Sequence, residues 1–277
     1  MTNHVKTAAL VAALLTGSMV ECFAADPAPI VVEIESPLAS THPLQGYLRQ
    51  ANGAGPSPAI VLLHSCKGDW GRLDERWGKR IASWGYVALT VDSFGPRGLK
   101  SCGDDFPNDM LFDAYRALNF LTHDPMVDPA RIAVLGFANG GRVALMSVEH
   151  GALEQTSSNK FRAAVAFYPP CRGFKGYMTV PTLILIGERD DVTPAEECRN
   201  MVDGRDEIGI SRQKNQGAPI KLVVYPGAYH GFDASNPTTP AKLPGHHLEF
   251  NQSATDQSIV TLHEFLDATI GSREQDK

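Results

Sequence analysis

The sequence predicts an α/β fold in which a mostly parallel sheet is covered by helices on both faces. Short, continuously apolar runs recur along the chain, as expected for strands that are buried on both sides. Amphipathic stretches separate several of these runs, and this alternation favours parallel strands joined by helical crossovers. The 277 residues, of which 43% are hydrophobic, fit one large domain over residues 25–277.

Eight runs are predicted to be strands. The first two form an opening pair, and the turn residues 56–58 separate them from a third run that is apolar up to its last residue. The later runs follow helical stretches or turns. The predicted strands are residues 30–35, 44–49, 59–64, 86–91, 131–135, 163–168, 182–186 and 221–225.

Three longer stretches have the pattern of amphipathic helices. Residues 70–84 form the first, and Gly85 ends it. Residues 108–122 form the second, between the fourth and fifth strands. Residues 258–269 form the last helix of the chain.

The segment 134–141 has the layout of a strand, a tight turn and a helix start. Its sequence, VLGFANGG, breaks an apolar run at one glycine and again at two more. In the G-x-S-x-G elbow of α/β-hydrolases, such glycines let strand and helix approach closely while the central residue stands exposed above the sheet. The central residue here is Ala138, whose methyl group cannot attack a carbonyl. Taken alone, the segment is equally compatible with a glycine-rich turn between a strand and a helix.

Two other predicted strands are followed by residues suited to acid–base chemistry. Asp190 and Asp191 follow the seventh strand, and His230 follows the eighth. The carboxyl ends of parallel strands meet at one crevice, where functional groups collect. Together with position 138, these residues give the chain order nucleophile, acid, histidine, which the α/β-hydrolase fold uses. A loop aspartate or histidine alone is more often structural, but the order and the placement together predict a catalytic triad.

These motifs resemble those of the dienelactone hydrolase family, over roughly residues 30–270. The resemblance is carried by GFxNGG at 136–141, GxxDxxxP at 187–194 and GAxHGF at 227–232. The segment DSFGPRG at 92–98 is similar to one found in exported members. The resemblance implies a single-domain α/β-hydrolase fold with an eight-stranded, mostly parallel sheet and helices on both faces.

The resemblance also implies the roles of the triad residues. Asp190 is the expected acid, which leaves Asp191 as a solvated charge at a helix start. A serine or cysteine at position 138 would attack an ester or lactone carbonyl, His230 would take and return the proton, and Asp190 would hold the imidazole tautomer. The family carries serine or cysteine where this chain has Ala138. The chain as written is therefore expected to be inactive or nearly so.

Backbone N–H groups are expected to stabilise the negative charge on the carbonyl oxygen. One would come from Asn139, at the helix start after the elbow, and the other from the loop after the third strand, residues 64–68. Within that loop we favour the amide of Cys66, the second residue after His64, where related hydrolases place this donor. The alternative is an ordinary glycine-ended loop between strand and helix.

Four residues are candidates for substrate contact. Trp70, Phe137 and Tyr168 lie just beyond or at predicted strand ends and would wall an apolar acyl pocket, or equally would belong to the core. Arg97 would receive a substrate carboxylate in a bidentate contact, or would have a purely structural role.

Composition and charge limit the ligand class. The formal net charge is −6, and the sequence has no basic stripe that could neutralise the phosphates of nucleic acid. A small-molecule ester or lactone is the expected partner. The cysteine and histidine spacing contains no zinc signature, and no metal or other cofactor is expected. Two functions remain open: an ester hydrolase whose nucleophile was replaced by alanine, and a natural non-catalytic protein that kept the hydrolase pocket for binding.

Residues 1–24 are predicted to be a secretory signal peptide. Lys6 is followed by an apolar run and by small residues suitable for cleavage after Ala24. A lipoprotein anchor at Cys22 is the alternative, but Glu21 is a poor fit before such a site. The apolar run is too short for a comfortable membrane span, so the mature protein is expected in the periplasm or outside the cell, without a membrane span.

Export exposes the remaining cysteines to an oxidising compartment. We expect disulfides between Cys171 and Cys198 and between Cys66 and Cys102, because each pair follows neighbouring strands on their carboxyl side. The alternative is four buried free thiols.

Overall fold

A computed structural model describes residues 28–35, 44–51, 55–102, 106–205, 216–235 and 245–271. The predicted signal peptide, residues 1–24, lies outside the described residues. The described residues are organised around one sheet, and the predicted α/β fold with a mostly parallel sheet is confirmed.

The sheet has eight strands in this part of the chain. They are β1 (Ile30–Ile34), β2 (Leu44–Arg49), β3 (Ser57–Leu63), β4 (Val87–Asp92), β5 (Val127–Phe137), β6 (Ala163–Phe167), β7 (Thr182–Gly187) and β8 (Ile220–Tyr225). Their order across the sheet is β1-β2-β4-β3-β5-β6-β7-β8. β2 pairs with β1 and β4 in antiparallel fashion, and the pairings from β4 to β8 are parallel.

Strands β3 and β5 begin earlier than their apolar runs indicate. Ser57 pairs with Val127 before the register shifts, and regular pairing starts with Ala59 opposite Ile132. The amide of Ser57 donates to the carbonyl of Met126 at 2.9 Å. This irregular first pair extends both strands into residues that apolar patterning does not mark.

The described residues contain seven α-helices. They are α1 (Trp70–Leu73), α2 (Lys79–Ser83), α3 (Phe106–Thr122), α4 (Asn139–Met146), α5 (Ala152–Thr156), α6 (Ala195–Asp203) and α7 (Gln252–Ile270). A π-helical turn over Asp74–Gly78 joins α1 to α2. The helix predicted over 70–84 is therefore continuous, but its middle turn is π-helical. Helix α7 starts earlier than predicted because the Asn251 side chain accepts a hydrogen bond from the Ala254 amide at 2.9 Å and caps it.

Helices cover both faces of the sheet, as neighbouring residues of β5 demonstrate. A Cβ on Gly136 would lie 2.0 Å from the carbonyl oxygen of Gly140, so α4 packs against that face. The next residue, Phe137, points to the other face. Its ring centroid lies 5.8 Å from that of Trp77, in the π-helical turn. The predicted two-sided arrangement is therefore present at the centre of the sheet.

The central strands form the core. Every residue of β4, β6 and β7 is buried, as the continuous apolar runs predict for two-sided burial. Helix α7 packs along β5, β6 and β7, and its residues Leu262 and Leu266 are fully buried. Within the described ranges, no helix is long and apolar enough to cross a membrane.

The close approach of α4 to β3 requires a residue without a side chain at position 140, which is Gly140. A Cβ there would lie 2.4 Å from the Leu63 carbonyl oxygen and 2.5 Å from that of His64. Because both obstacles are backbone atoms, we expect Gly140→Ala to lower the free energy of unfolding by on the order of 3 kcal/mol. Urea unfolding curves measure the loss.

Gly71→Ala is the matched control for this substitution. Gly71 lies in α1, and a Cβ there would meet no atom within 4 Å. It should leave the unfolding midpoint unchanged or raise it slightly. Equal midpoints for the two variants would contradict the packing described.

Candidate active site

Ala138 occupies a strained turn between β5 and α4. Its backbone angles are φ 51° and ψ −113°, a region that non-glycine residues rarely adopt. The Ala138 amide donates to the carbonyl of Phe167 at 2.9 Å, which ties the turn to the end of β6. Helix α4 starts at the next residue. The backbone therefore has the geometry of a nucleophile elbow, although the side chain is a methyl group.

Asp190 and His230 meet at the carboxyl edge of the sheet. Asp190 follows β7 and His230 follows β8, and both residues are buried. His230 Nδ1 lies 2.8 Å from Asp190 Oδ2. The other carboxylate oxygen accepts the amide hydrogens of Val192 at 3.0 Å and Thr193 at 2.8 Å. With Nδ1 donating to the carboxylate, Nε2 is the ring atom able to take up a proton.

Thr193 joins this pair, although none of the sequence motifs marks it as a site residue. Its Oγ1 lies 2.9 Å from Asp190 Oδ2 and 3.1 Å from His230 Nδ1. The same hydroxyl is 3.0 Å from the Tyr168 carbonyl oxygen, to which it can donate. A threonine three residues after an aspartate is suited to such a local turn, and that spacing is the signal that could have identified it.

Asp191 faces a different part of the molecule. It is exposed, and its carboxylate oxygens accept the backbone N–H of His247 at 3.1 and 3.3 Å. His246 Nδ1 lies 3.5 Å from Asp191 Oδ1. Helix α6 begins only at Ala195. Asp191 thus holds the segment after residue 245, rather than serving only as a solvated charge at a helix start.

The two amides expected to bind an oxyanion lie at neighbouring strand ends. Leu63, the last residue of β3, is in register with Gly136 of β5. Cys66 therefore follows one strand and Asn139 follows the strand beside it. Among the described residues, neither amide N–H has a hydrogen-bond acceptor. Neither N–H group is therefore used by the hydrogen bonds of the fold.

A buried histidine anchors the first of these loops. His64 Nδ1 donates to the Ser65 carbonyl at 2.8 Å, and Nε2 accepts the Ser93 amide hydrogen at 3.2 Å. Burial lowers the pKa of His64, and these bonds suit the neutral imidazole. Asp92 accepts the amide hydrogens of Phe94 and Gly95, so the loop after β4 is itself held in place.

The structure joins the cysteines in the two predicted pairs. Cys66 and Cys102 have Cα atoms 4.9 Å apart, and the bond links the loop after β3 to the region after β4. Cys171 and Cys198 have the same Cα separation, 4.9 Å, and their bond ties the loop after β6 to α6. Each disulfide therefore connects segments next to the elbow or next to the loop that carries Asp190.

The candidate substrate residues have different environments. Arg97 makes two bonds to Asp113, at 2.7 and 2.8 Å, and a third to the Ser93 carbonyl at 2.8 Å. Hydrogen bonding to Asp113 raises the Arg97 pKa, and this pairing favours its structural role over substrate binding.

The three aromatic candidates differ in burial and in their neighbours. Phe137 is buried among the core aromatic rings, and its centroid lies 4.7 Å from that of Phe167. Tyr168 is buried beside His230, with ring centroids 4.6 Å apart. Trp70 is partly exposed and stacks on Tyr47. Burial favours the core interpretation for Phe137 and removes Tyr168 from an open pocket wall.

Cavity volume alone does not locate this site. A groove of about 520 Å³ lies along the outer strand β1, and a cavity of about 150 Å³ lies at the amino ends of β6 and β7. Neither is lined by Ala138, Asp190 or His230. We place the candidate site at the strained elbow and the buried histidine–aspartate pair, because neither cavity is lined by a buried histidine in contact with a carboxylate. No group of three or more potential metal ligands occurs within the described ranges.

The chain is similar in sequence to a hydrolase family and to a lipase. The model of the dienelactone hydrolase family matches residues 44–269. Lipase 1 of Moraxella sp. strain TA144 is 28% identical over 158 residues, which are 56% of this chain and 45% of the lipase. The chain thus spans less than half the length of that relative.

Solved structures show the same fold at low sequence identity. Esterase 2 of Thermogutta terrifontis, phosphoramylated by tabun, has a TM-score of 0.63 and 19% identity, covering 88% of this chain and 96% of that one. The Pyrococcus furiosus esterase Pf2001 has a TM-score of 0.65 and 17% identity, covering 88% of this chain and 93% of that one.

The buried His64 gives a prediction about pH. Because its pKa is lowered in the folded state, the unfolded chain binds a proton at higher pH than the folded chain does. The stability due to neutral His64 is therefore complete above the unfolded pKa of about 6.5 and is lost as pH falls below it toward the folded pKa. We expect His64→Gln to reduce the fall in melting temperature between about pH 7.5 and about pH 5.5. Identical falls in the two proteins would show that His64 does not charge on unfolding.

Proposed function

Because the chain belongs to the dienelactone hydrolase family, we propose that its site is built for acyl transfer from carboxylic esters or lactones and that Ala138 leaves it without the attacking atom. One observation carries the proposal. Ala138 keeps the strained backbone of a nucleophile elbow, which an alanine has no chemical reason to need, and an intact histidine–aspartate pair follows other strands at the same edge of the sheet.

The roles follow from the contacts. A hydroxyl or thiol on residue 138 would attack the carbonyl carbon, and His230 would accept its proton at Nε2. Asp190, bound to Nδ1, would hold the tautomer and stabilise the imidazolium. The amides of Cys66 and Asn139 would donate to the oxyanion. His230 would return the proton to the leaving group, and water would then release the acyl group by the reverse sequence.

With alanine at position 138, no covalent step is possible. The oxyanion donors and substrate binding remain, and these alone give about 10³ to 10⁴-fold over the reaction in water. We therefore propose that the chain as written turns over esters only slowly.

A second candidate function is ligand binding without catalysis, and the observation that favours it is Ala138 itself. A natural alanine codon at position 138 would support this candidate, whereas a serine or cysteine codon would support an enzyme whose nucleophile was replaced. The site is the same in both cases, and a small ester or lactone is the proposed ligand.

We also propose that the protein is exported to the periplasm or the cell exterior. The two cysteine pairs at bonding distance support this, because disulfides persist in oxidising compartments. The sequence of residues 1–24, which is typical of a signal peptide, supports it as well.

Restoring the nucleophile is the direct test of the proposed chemistry. We expect Ala138→Ser to raise kcat/KM on short p-nitrophenyl esters by on the order of 10³-fold, because the remaining groups are in place. Paraoxon, which phosphorylates esterase 2 of Thermogutta terrifontis, should add a covalent phosphoryl group to the variant and not to the unsubstituted chain. Intact-protein mass spectrometry detects the adduct. A variant that neither turns over nor is labelled would refute the site.

The two adjacent aspartates provide a matched pair for the acid. In the Ala138→Ser background, we expect Asp190→Asn to lower kcat by roughly 10³ to 10⁴-fold, as expected when the imidazole loses its orienting carboxylate. His230→Ala should be similarly damaging. Asp191→Asn should change kcat little, since that carboxylate contacts the His247 backbone. If Asp191→Asn proves the damaging change, Asp190 is not the acid.

A further inference from the structure

Tyr168 follows β6 and lies in the interior of the site. The residue is 4% exposed, so its ring is not an open wall for substrate. Its φ is 39°, and Ala138 is the other non-glycine residue with positive φ among those described. Such strain persists only where the surroundings hold it, and it concentrates at functional sites.

The end of β6 contacts Ala138 and His230 directly and reaches Asp190 through Thr193. The Phe167 carbonyl accepts the Ala138 amide hydrogen at 2.9 Å. The Tyr168 carbonyl lies 3.0 Å from Thr193 Oγ1, the hydroxyl that also contacts Asp190. The Tyr168 ring packs on the His230 imidazole, with centroids 4.6 Å apart. Any shift of Tyr168 therefore reaches both the acid and the histidine.

A buried carboxylate holds the Tyr168 side chain. The Tyr168 hydroxyl donates to Asp233 Oδ1 at 2.8 Å. Asp233 Oδ2 accepts Trp77 Nε1–H at 2.7 Å and lies 2.9 Å from Arg76 Nε. The Asp233 side chain is fully buried, so these three partners are what stabilise its carboxylate inside the protein.

The chemistry of this contact is directional. Burial, and then the charge of Asp233, raise the pKa of Tyr168 well above its usual value, so the phenol stays protonated and donates. The Tyr168 amide donates to the Leu185 carbonyl at 2.7 Å, which fixes the other end of the residue. Asp233 is also three residues past His230, in the same loop.

We propose that Tyr168 and Asp233 are positioning residues for the His230–Asp190 pair. The hydroxyl–carboxylate bond fixes the ring against which the imidazole packs, and it keeps the Tyr168 carbonyl beside Thr193. The inference rests on the proposed acyl-transfer function, and it replaces the expectation that Tyr168 lines the acyl pocket.

The kinetic test compares two buried tyrosines that each donate to a carboxylate. Tyr168→Phe removes the hydroxyl and keeps the ring. Tyr86→Phe is the control, because the Tyr86 hydroxyl donates to Asp267 Oδ1 at 2.6 Å, on α7 and outside the proposed triad.

In the Ala138→Ser background we expect Tyr168→Phe to lower kcat by about tenfold or more with KM nearly unchanged, since misplaced catalytic groups lose rate rather than binding. Tyr86→Phe should leave both constants nearly unchanged. A rise in KM at constant kcat for Tyr168→Phe would instead make Tyr168 a substrate contact and overturn the proposal.

A second measurement needs no turnover and uses the chain with Ala138. The His230 Nδ1 proton, shared with Asp190, should give a low-field proton NMR signal, which His230→Ala assigns by its loss. We expect Tyr168→Phe to shift this signal and speed its exchange with water, and Tyr86→Phe to leave it unchanged. If Ala138→Ser is inactive but the signal responds, the proposed function fails while the positioning role stands. If neither kcat nor the signal responds to Tyr168→Phe, the positioning role is overturned.

Combining substitutions tests whether the two residues act as one unit. Tyr168→Phe removes the donor of this bond and Asp233→Ala removes its acceptor, so adding Tyr168→Phe to Asp233→Ala should lower kcat no further. Losses that multiply would mean that the residues act independently and would overturn the coupling. The signal of His230 in each protein reports the same comparison when a variant is inactive.

Discussion

The close backbone contact between α4 and the ends of β3 and β5 is the constraint on which the rest of the site depends. Gly136 and Gly140 leave no room for a Cβ, and the contact forces Ala138 into positive φ. The same contact brings the start of α4 beside the loop after β3. The positions of the strained residue and of the two amide donors, those of Cys66 and Asn139, therefore all result from the packing of α4 against these strands. A chemically inert side chain at position 138 leaves that backbone arrangement in place.

The second determinant is a buried polar network in which each carboxylate has several partners. Asp190 receives hydrogen bonds from two backbone amides and the imidazole of His230, and the Thr193 hydroxyl lies 2.9 Å from it. Asp233 receives them from a tyrosine and a tryptophan and pairs with an arginine. Burial makes an unpaired charge costly, so these partners are what allow both carboxylates to remain inside. Tyr168 connects the two groups. The histidine is thus oriented by its aspartate and also by the packing behind it.

The difference between expectation and structure is clearest at the charged residues. The guanidinium of Arg97, a candidate for binding a substrate carboxylate, binds Asp113 instead. Asp191, which the sequence predicts to be a solvated charge, binds the backbone of His247. In each case the residue type indicated which ligand chemistry was available. It did not indicate which of several suitable partners would be nearest after folding.

Local patterns were sufficient to indicate the eight strands, the order of the proposed triad positions and the elbow-like turn around Ala138, because each depends on the spacing of neighbouring residues. The tertiary structure alone decided that Tyr168 packs on His230 and binds Asp233, a residue 65 positions further along the chain. Spacing carries no information about such a contact. It arises where loops from neighbouring strands are brought to one edge of the sheet, and the choice of partner there follows from distance, burial and the need to satisfy each polar group.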